Sequence, residues 1–204
     1  MSRKVYIVDD DAALRKALAL LFRSVEIDAE TFSSAQAFLE AYRPAPLGDH
    51  CCLVTDVRMP GMSGLELQAE LERRQFDIAV IVLSGHGDVP LAVRAMSAGA
   101  LSFLEKPINE QDLLDLVFKA FNGTSPLPAQ AQHDALEAHR TLLTPRQRDI
   151  FDLSMKGLQT KEVANRLNLS PRTVEVHRAN ILQRLQAPTF TKLISDFLQR
   201  NGAN

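Results

Sequence analysis

Residues 51–64 read CCLVTDVRMPGMSG. The run from Cys51 to Val54 is short and wholly apolar, the pattern of a strand covered on both faces, and it stops at Asp56. Past that acid, Pro60, Gly61 and Gly64 punctuate the chain as a loop does. A buried strand that ends on a carboxylate and opens into a loop is the signature of the carboxyl edge of a parallel sheet, where ligands sit. Asp56 is therefore the residue from which the rest of the chain is read.

Working outward, Val5 to Val8, Ile78 to Leu83 and Ala100 to Leu104 give runs of the same kind, and Ile27 to Thr31 fits a fifth strand at an edge. Between them lie helical spacings: Leu14, Leu18, Leu21 and Phe22 after the first run, and Leu113, Leu114, Val117, Phe118 and Phe121 after the last. Alternation of this kind predicts an α/β doubly wound, parallel, five-stranded sheet over residues 1–122.

Polar residues cluster at the expected carboxyl ends. Asp9, Asp10 and Asp11 follow the first strand, Asp56 ends the third, Ser84 follows the fourth, and Lys106 precedes Pro107 after the fifth. Carboxylates gathered at one edge repel unless a cation joins them, and Mg2+ (or Mn2+) is the natural candidate, being a hard ion that takes oxygen ligands. A carboxylate there can also attack phosphorus and form an acyl phosphate, with Lys106 countering the transferred charge. Asp11 is read as the cap of the following helix rather than a metal ligand. His86, alone in its loop, is read as a plain polar residue. Gly61, Gly64, Gly85 and Gly87 belong to loops around the pocket, but no GxGxxG or GxxxxGK[ST] pattern exists, so nucleotide hydrolysis is not indicated.

Asn122 to Gln132, NGTSPLPAQAQ, supplies no apolar face and reads as a linker, placed over 123–140. Beyond it Pro145–Lys156, Thr160–Leu167, Pro171–Gln186 and Thr189–Arg200 read as four helices of a second, all-α domain over 141–204. Thr144 and Ser170 stand as N-caps before a first-turn proline. A short helix, a tight turn at Asn168 to Ser170 and a longer helix make the helix-turn-helix order, about 160–179. On the longer helix Val174, Ile181, Leu182 and Leu185 share one side, while Arg172, Val176, Ala179, Asn180 and Gln183 share the other, with Glu175 between. A valine in that place suits a thymine methyl, and Glu175 could accept from a cytosine amino group. Arg178 falls toward the buried stripe, where it is expected to reach an edge or pair with an acid.

Charge divides along the same line. Residues 1–140 hold 13 Lys and Arg against 20 Asp and Glu, whereas residues 141–204 hold 10 against 5, so only the second half suits a polyanion. No apolar stretch approaches the roughly 20 residues of a membrane span, and no signal-peptide pattern opens the chain. Cys51 and Cys52 are read as reduced core thiols. A cytoplasmic protein with no membrane partner is expected.

Taken in order and spacing, IVDDD, VTDVRMPGMSG, LSGHGDVPLAV and AGALSFLEKP resemble the receiver-domain pattern. The segment from Leu143, LTPRQRDIFDLSMKGLQTKEVANRLNLSPRTVEVHRANILQRLQA, resembles the LuxR-type helix-turn-helix of the NarL/FixJ response regulators. The resemblance implies a flavodoxin-like receiver in a two-component system, phosphorylated at Asp56 by a sensor histidine kinase. It implies Mg2+ held by Asp10, Asp56 and the backbone carbonyl of Arg58, with Asp9 acting through water. It makes Ser84 the hydrogen-bond donor and Lys106 the ion-pair partner of the phosphoryl group, and Phe103 an aromatic switch that turns inward. In the second domain it implies phosphate or flanking contacts from Lys161, Thr173 and Arg184, and base reading by Arg172, Glu175, Val176, Ala179 and Asn180. Double-stranded promoter DNA, a homodimer formed on phosphorylation, and RNA polymerase are the partners implied. Phe190, Leu193, Ile194, Phe197 and Leu198 exceed what closes a three-helix core, so some are expected at a dimer contact. Gln147 stands where relatives often carry glutamate, which puts a neutral hydrogen bond in place of an ion pair.

Two other functions compete. One is an Mg-dependent aspartyl-phosphate phosphatase, which usually needs a second aspartate two residues past the nucleophile, where this chain has Arg58. The other is a DNA-binding regulator that acts without phosphorylation.

Overall fold

The computed structural model describes residues 3–44, 50–85, 89–122 and 141–201, with the helical backbone alone for 197–201. The elements run β1 (Arg3–Val8), α1 (Ala12–Ser24), β2 (Asp28–Phe32), α2 (Ala35–Ala41), β3 (His50–Asp56), α3 (Gly64–Arg73), β4 (Ala79–Ser84), α4 (Val89–Ser97), β5 (Ser102–Glu105) and α5 (Glu110–Phe121). Then come α6 (Pro145–Met155), α7 (Thr160–Leu167), α8 (Pro171–Leu185) and α9 (Phe190–Asn201). The described residues fall into two compact units: those up to Gly85 together with those from Ala98 to Asn122, and α4 together with those from Thr141 onward. The expected linker and His86 lie outside the described residues.

In the first unit the five strands are all parallel, in the order β2-β1-β3-β4-β5. The expected edge position of β2 is the one found. Strand alternation assigns the two faces. Val5, Ile7, Cys52, Val54, Ile81, Leu83 and Leu104 share one core with Leu18 and Phe22 of α1 and Leu113, Val117 and Phe121 of α5. Tyr6, the neighbour of Val5 and Ile7, belongs to the other side and meets Phe38 of α2 edge to face at 5.5 Å. Every central strand is thus covered twice, which is why the runs read as continuously apolar.

The second unit closes around Ile150 and Phe151 of α6, Val163 and Ala164 of α7, Val174 and Ile181 of α8, and Phe190, Leu193 and Ile194 of α9, with Leu143 and Val89 of α4. Phe190, Leu193 and Ile194 are therefore core residues and not spare surface, which corrects the dimer-contact expectation for those three. The side chains of Phe197 and Leu198 lie outside the described residues. Local chemistry starts each helix. Thr144 and Gln147 form a reciprocal capping box ahead of Pro145, and Gln147 is itself buried, so the neutral hydrogen bond expected of it is made within its own helix start.

Candidate functional site

Because β1, β3, β4 and β5 are parallel neighbours, their carboxyl ends fall side by side and deliver Asp9, Asp56, Ser84 and Lys106 to one edge. Asp9 is 1% exposed, Asp56 6% and Ser84 2%. The Lys106 ammonium joins the two acids, with Nζ 2.8 Å from Asp9 Oδ2 and 2.6 Å from Asp56 Oδ1. The opposite oxygens accept backbone donors: Asp56 Oδ2 from the Arg58 N–H at 2.6 Å, and Asp9 Oδ1 from the Asp11 N–H at 2.8 Å. Burial pushes the Asp56 carboxyl above its usual range, against the hydrogen bond and charge of Lys106 and the Arg58 N–H, which pull it down. Burial alone draws Lys106 down, but hydrogen bonds to Asp56 and Asp9 outweigh it and hold the ammonium above its ordinary value.

Around this pair the local backbone is tightly specified. Asp11 caps α1 as expected, its Oδ1 accepting from the N–H groups of Ala13 and Leu14. Gly61 has φ +79°, a conformation suited to glycine. At Gly64 a Cβ would stand 2.2 Å from the Asp56 carbonyl oxygen, so only glycine admits this approach of α3 to β3. Phe103 is fully buried on β5, paired in register with Val82. The sequence reading missed Arg15, whose Nη1 donates to the Asp9 carbonyl at 2.6 Å. Its one signal was a base one turn into the helix that Asp11 caps.

Asp10 is exposed at the rim. Among the described residues no three His, Cys, Asp or Glu side chains gather at metal-holding spacing. The donors expected for an ion, namely the Asp10 and Asp56 carboxylates, the Arg58 carbonyl and Asp9 through water, are all oxygens. That set fits a hard divalent cation whose shell waters and phosphate oxygens complete.

The second unit presents the helix-turn-helix. Asn168 ends α7 in the left-handed region at φ 52°, and the Ser170 hydroxyl accepts from the Thr173 N–H to start α8. On α8 the residues Arg172, Glu175, Val176, Ala179, Asn180 and Gln183 are exposed, while Val174 and Ile181 are buried. Val176, at 53%, is one of few large apolar side chains left to solvent. Lys161 is exposed on α7. Arg184 is exposed too but donates Nη1 to the Leu142 carbonyl at 3.0 Å, and Thr173 shares a hydrogen bond with the Ser170 hydroxyl. Glu175 is not a loose acceptor: its Oε1 accepts from Thr160 Oγ1 at 2.6 Å and lies 3.7 Å from Arg178 Nη1. Arg178 does turn inward and pair with an acid, and burial draws its guanidinium below the ordinary value against the charge of Glu175.

Comparison with known proteins separates the candidate functions. Residues 5–118 match the response regulator receiver domain model, and residues 141–196 match that of the bacterial regulatory proteins of the luxR family. The transcriptional regulatory protein FixJ of Bradyrhizobium diazoefficiens is 38% identical over 93% of this chain and 92% of its own length. The chain is a response regulator of the NarL/FixJ family. The FixJ protein of Azorhizobium caulinodans is 43% identical to this response regulator, over 95% of this chain and 90% of the relative. The crystal structure of full-length FixJ from B. japonicum superposes with a TM-score of 0.55 at 36% identity, covering 100% of both chains. The regulator controls transcription through phosphorylation, and its two modules imply a sensor kinase on one side and DNA on the other. Receiver domains generally bind Mg2+ at the phosphorylation site. The phosphatase reading is set aside, because the relatives are named as transcriptional regulators.

Proposed function

We propose that this response regulator accepts phosphate on Asp56 from a sensor histidine kinase and, once phosphorylated, binds double-stranded promoter DNA as a homodimer. The observation that carries the reading is the ammonium of Lys106 bridging the buried carboxylates of Asp9 and Asp56, with Ser84 buried at the same sheet edge. An oxygen of the ionised Asp56 carboxylate bonds to phosphorus while the donor's phosphorus–nitrogen bond breaks, the electron pair and then a proton going to the imidazole nitrogen. Lys106 offsets charge on the transferred group, and the Ser84 hydroxyl donates to one of its oxygens. Phe103, one residue before Leu104 and paired with Val82 two residues before Ser84, is placed to feel a shift of Ser84 and is the proposed switch. Asp10, Asp56 and the Arg58 backbone carbonyl, with Asp9 through water, would hold Mg2+ (or Mn2+), which would supply charge neutralisation for the phosphate oxygens. The receiver has no further chemistry than its own phosphotransfer and dephosphorylation.

On the DNA side, Arg172, Glu175, Val176, Ala179 and Asn180 read bases, while Lys161, Thr173 and Arg184 meet phosphates. Arg184 keeps donors beyond the one given to Leu142, since a guanidinium carries five N–H groups. A symmetric dimer requires inverted half-sites, with RNA polymerase as the further partner at the promoter. Domain bounds of 1–122, 123–140 and 141–204 and action in the cytoplasm complete the proposal.

The test is labelling with acetyl phosphate and Mg2+, read by intact mass. Wild type gains one phosphate and Asp56→Asn gains none; labelling of Asp56→Asn at the wild-type rate would move the acceptor elsewhere.

A further inference from the structure

Arg178 stands on α8, the helix whose exposed face carries Arg172, Val176, Ala179 and Asn180, yet it does not share that face. Its side chain is 11% exposed, and the guanidinium is engaged within the helical unit. Nη1 donates to Thr160 Oγ1 at 2.8 Å, Nη2 donates to Ser154 Oγ at 3.0 Å, and Cζ lies 4.9 Å from the centre of the Phe190 ring. One arginine thereby ties α8 to α6, α7 and α9.

The polarity of this set can be worked out. A guanidinium only donates, so Thr160 Oγ1 accepts from Arg178 and must aim its own hydrogen elsewhere. The acceptor at 2.6 Å is Glu175 Oε1, which also lies 3.7 Å from Arg178 Nη1. One oxygen of Glu175 is fixed from two sides, while the side chain remains 59% exposed. A free glutamate on a helix surface would lose rotamer entropy on reaching a base and would be repelled by phosphates. This one is already ordered and partly neutralised. Cytosine N4 and adenine N6 are the amino donors that a fixed acceptor meets in the major groove.

We propose that Arg178 and Thr160 are positioning residues for sequence readout, fixing Glu175 so that its remaining oxygen accepts from the amino group of one base. The inference rests on the reading of α8 as the helix that enters the groove. It also makes Arg178 a cation on that helix that takes no phosphate.

The test is selection from randomised duplexes by the phosphodonor-treated full-length chain, together with salt titrations on the selected site. Glu175→Ala should flatten the preference at one base-pair position, and Thr160→Val and Arg178→Met should flatten that same position, each by roughly tenfold. Thr160→Ser, which keeps the hydroxyl, should restore it. The Glu175→Ala/Thr160→Val double variant should be no worse than Glu175→Ala. Arg178→Met should leave the slope of log affinity against log salt unchanged, since no counterion is released at that residue. Thr160→Val removes only a hydroxyl and keeps the test open if Arg178→Met fails to fold. Wild-type preference retained by Thr160→Val, loss at a different position, or a salt slope lowered by Arg178→Met would each overturn the positioning role alone. A wild-type chain that selects no sequence overturns the DNA reading and this inference with it.

Discussion

Asp56 is a buried acid asked to be a nucleophile, and its protonation sets when it can act. Burial raises its carboxyl while Lys106 lowers it, so the ionised form is lost at a higher pH than for a free aspartate, and the loss is limited by the lysine. In the metal-free chain the Asp56 carboxyl, followed by NMR of its side-chain carbon, should therefore titrate with a midpoint above the ordinary aspartate value. Lys106→Met should move that midpoint upward as well as slow labelling by acetyl phosphate, because the main lowering influence is gone and the charge of Asp9 remains. A midpoint that stays or falls in Lys106→Met contradicts the assigned role of the lysine. Gly64 gives a second residue-scale prediction. A methyl at that position would stand 2.2 Å from the Asp56 carbonyl, so Gly64→Ala should cost about 1–3 kcal/mol of stability in chemical denaturation, by forced overpacking, and slow labelling.

At the scale of the element, helix starts carry both stability and aim. Ser170 caps α8 through the Thr173 N–H, and Ser170→Ala should cost about 1 kcal/mol, seen as faster amide exchange in the first turn of α8 and not in α6. Unchanged protection there would show that packing alone sets the helix start. This is also the scale at which the sequence was most legible. Apolar runs such as Cys51 to Val54 predict strands because both faces of β3 are buried, and Thr144-Pro145 and Ser170-Pro171 mark starts through their capping chemistry. The acids and Lys106 at strand ends were legible for the same reason, since strand order brings them together. Long-range side-chain partners were not. Nothing in local spacing tells that Arg178 finds Ser154 and Thr160. The apolar surplus of α9 was misread for a related cause: counting residues cannot tell that Leu143 and Val89 enlarge the core that Phe190, Leu193 and Ile194 fill.

Across the whole molecule, charge divides the labour. Residues 141–204 carry 10 basic against 5 acidic side chains, and DNA binding should weaken steeply with salt. Lys161→Ala should lower the log–log salt slope by about one per protomer while leaving base preference intact, the mark of a phosphate contact. Asn180→Ala should do the reverse, relaxing preference at one base pair at a cost of about 1–3 kcal/mol with the slope kept. The central claim is that phosphate on Asp56 governs the grip of the helix-turn-helix. Its most direct test is equilibrium binding of the full chain to its selected site, with and without acetyl phosphate and Mg2+, in wild type and Asp56→Asn. Wild type should tighten about 5- to 150-fold, the usual span of a coupling between sites, and Asp56→Asn should not respond. Equal tightening in Asp56→Asn, or a fully phosphorylated wild type whose affinity does not change, would contradict the account.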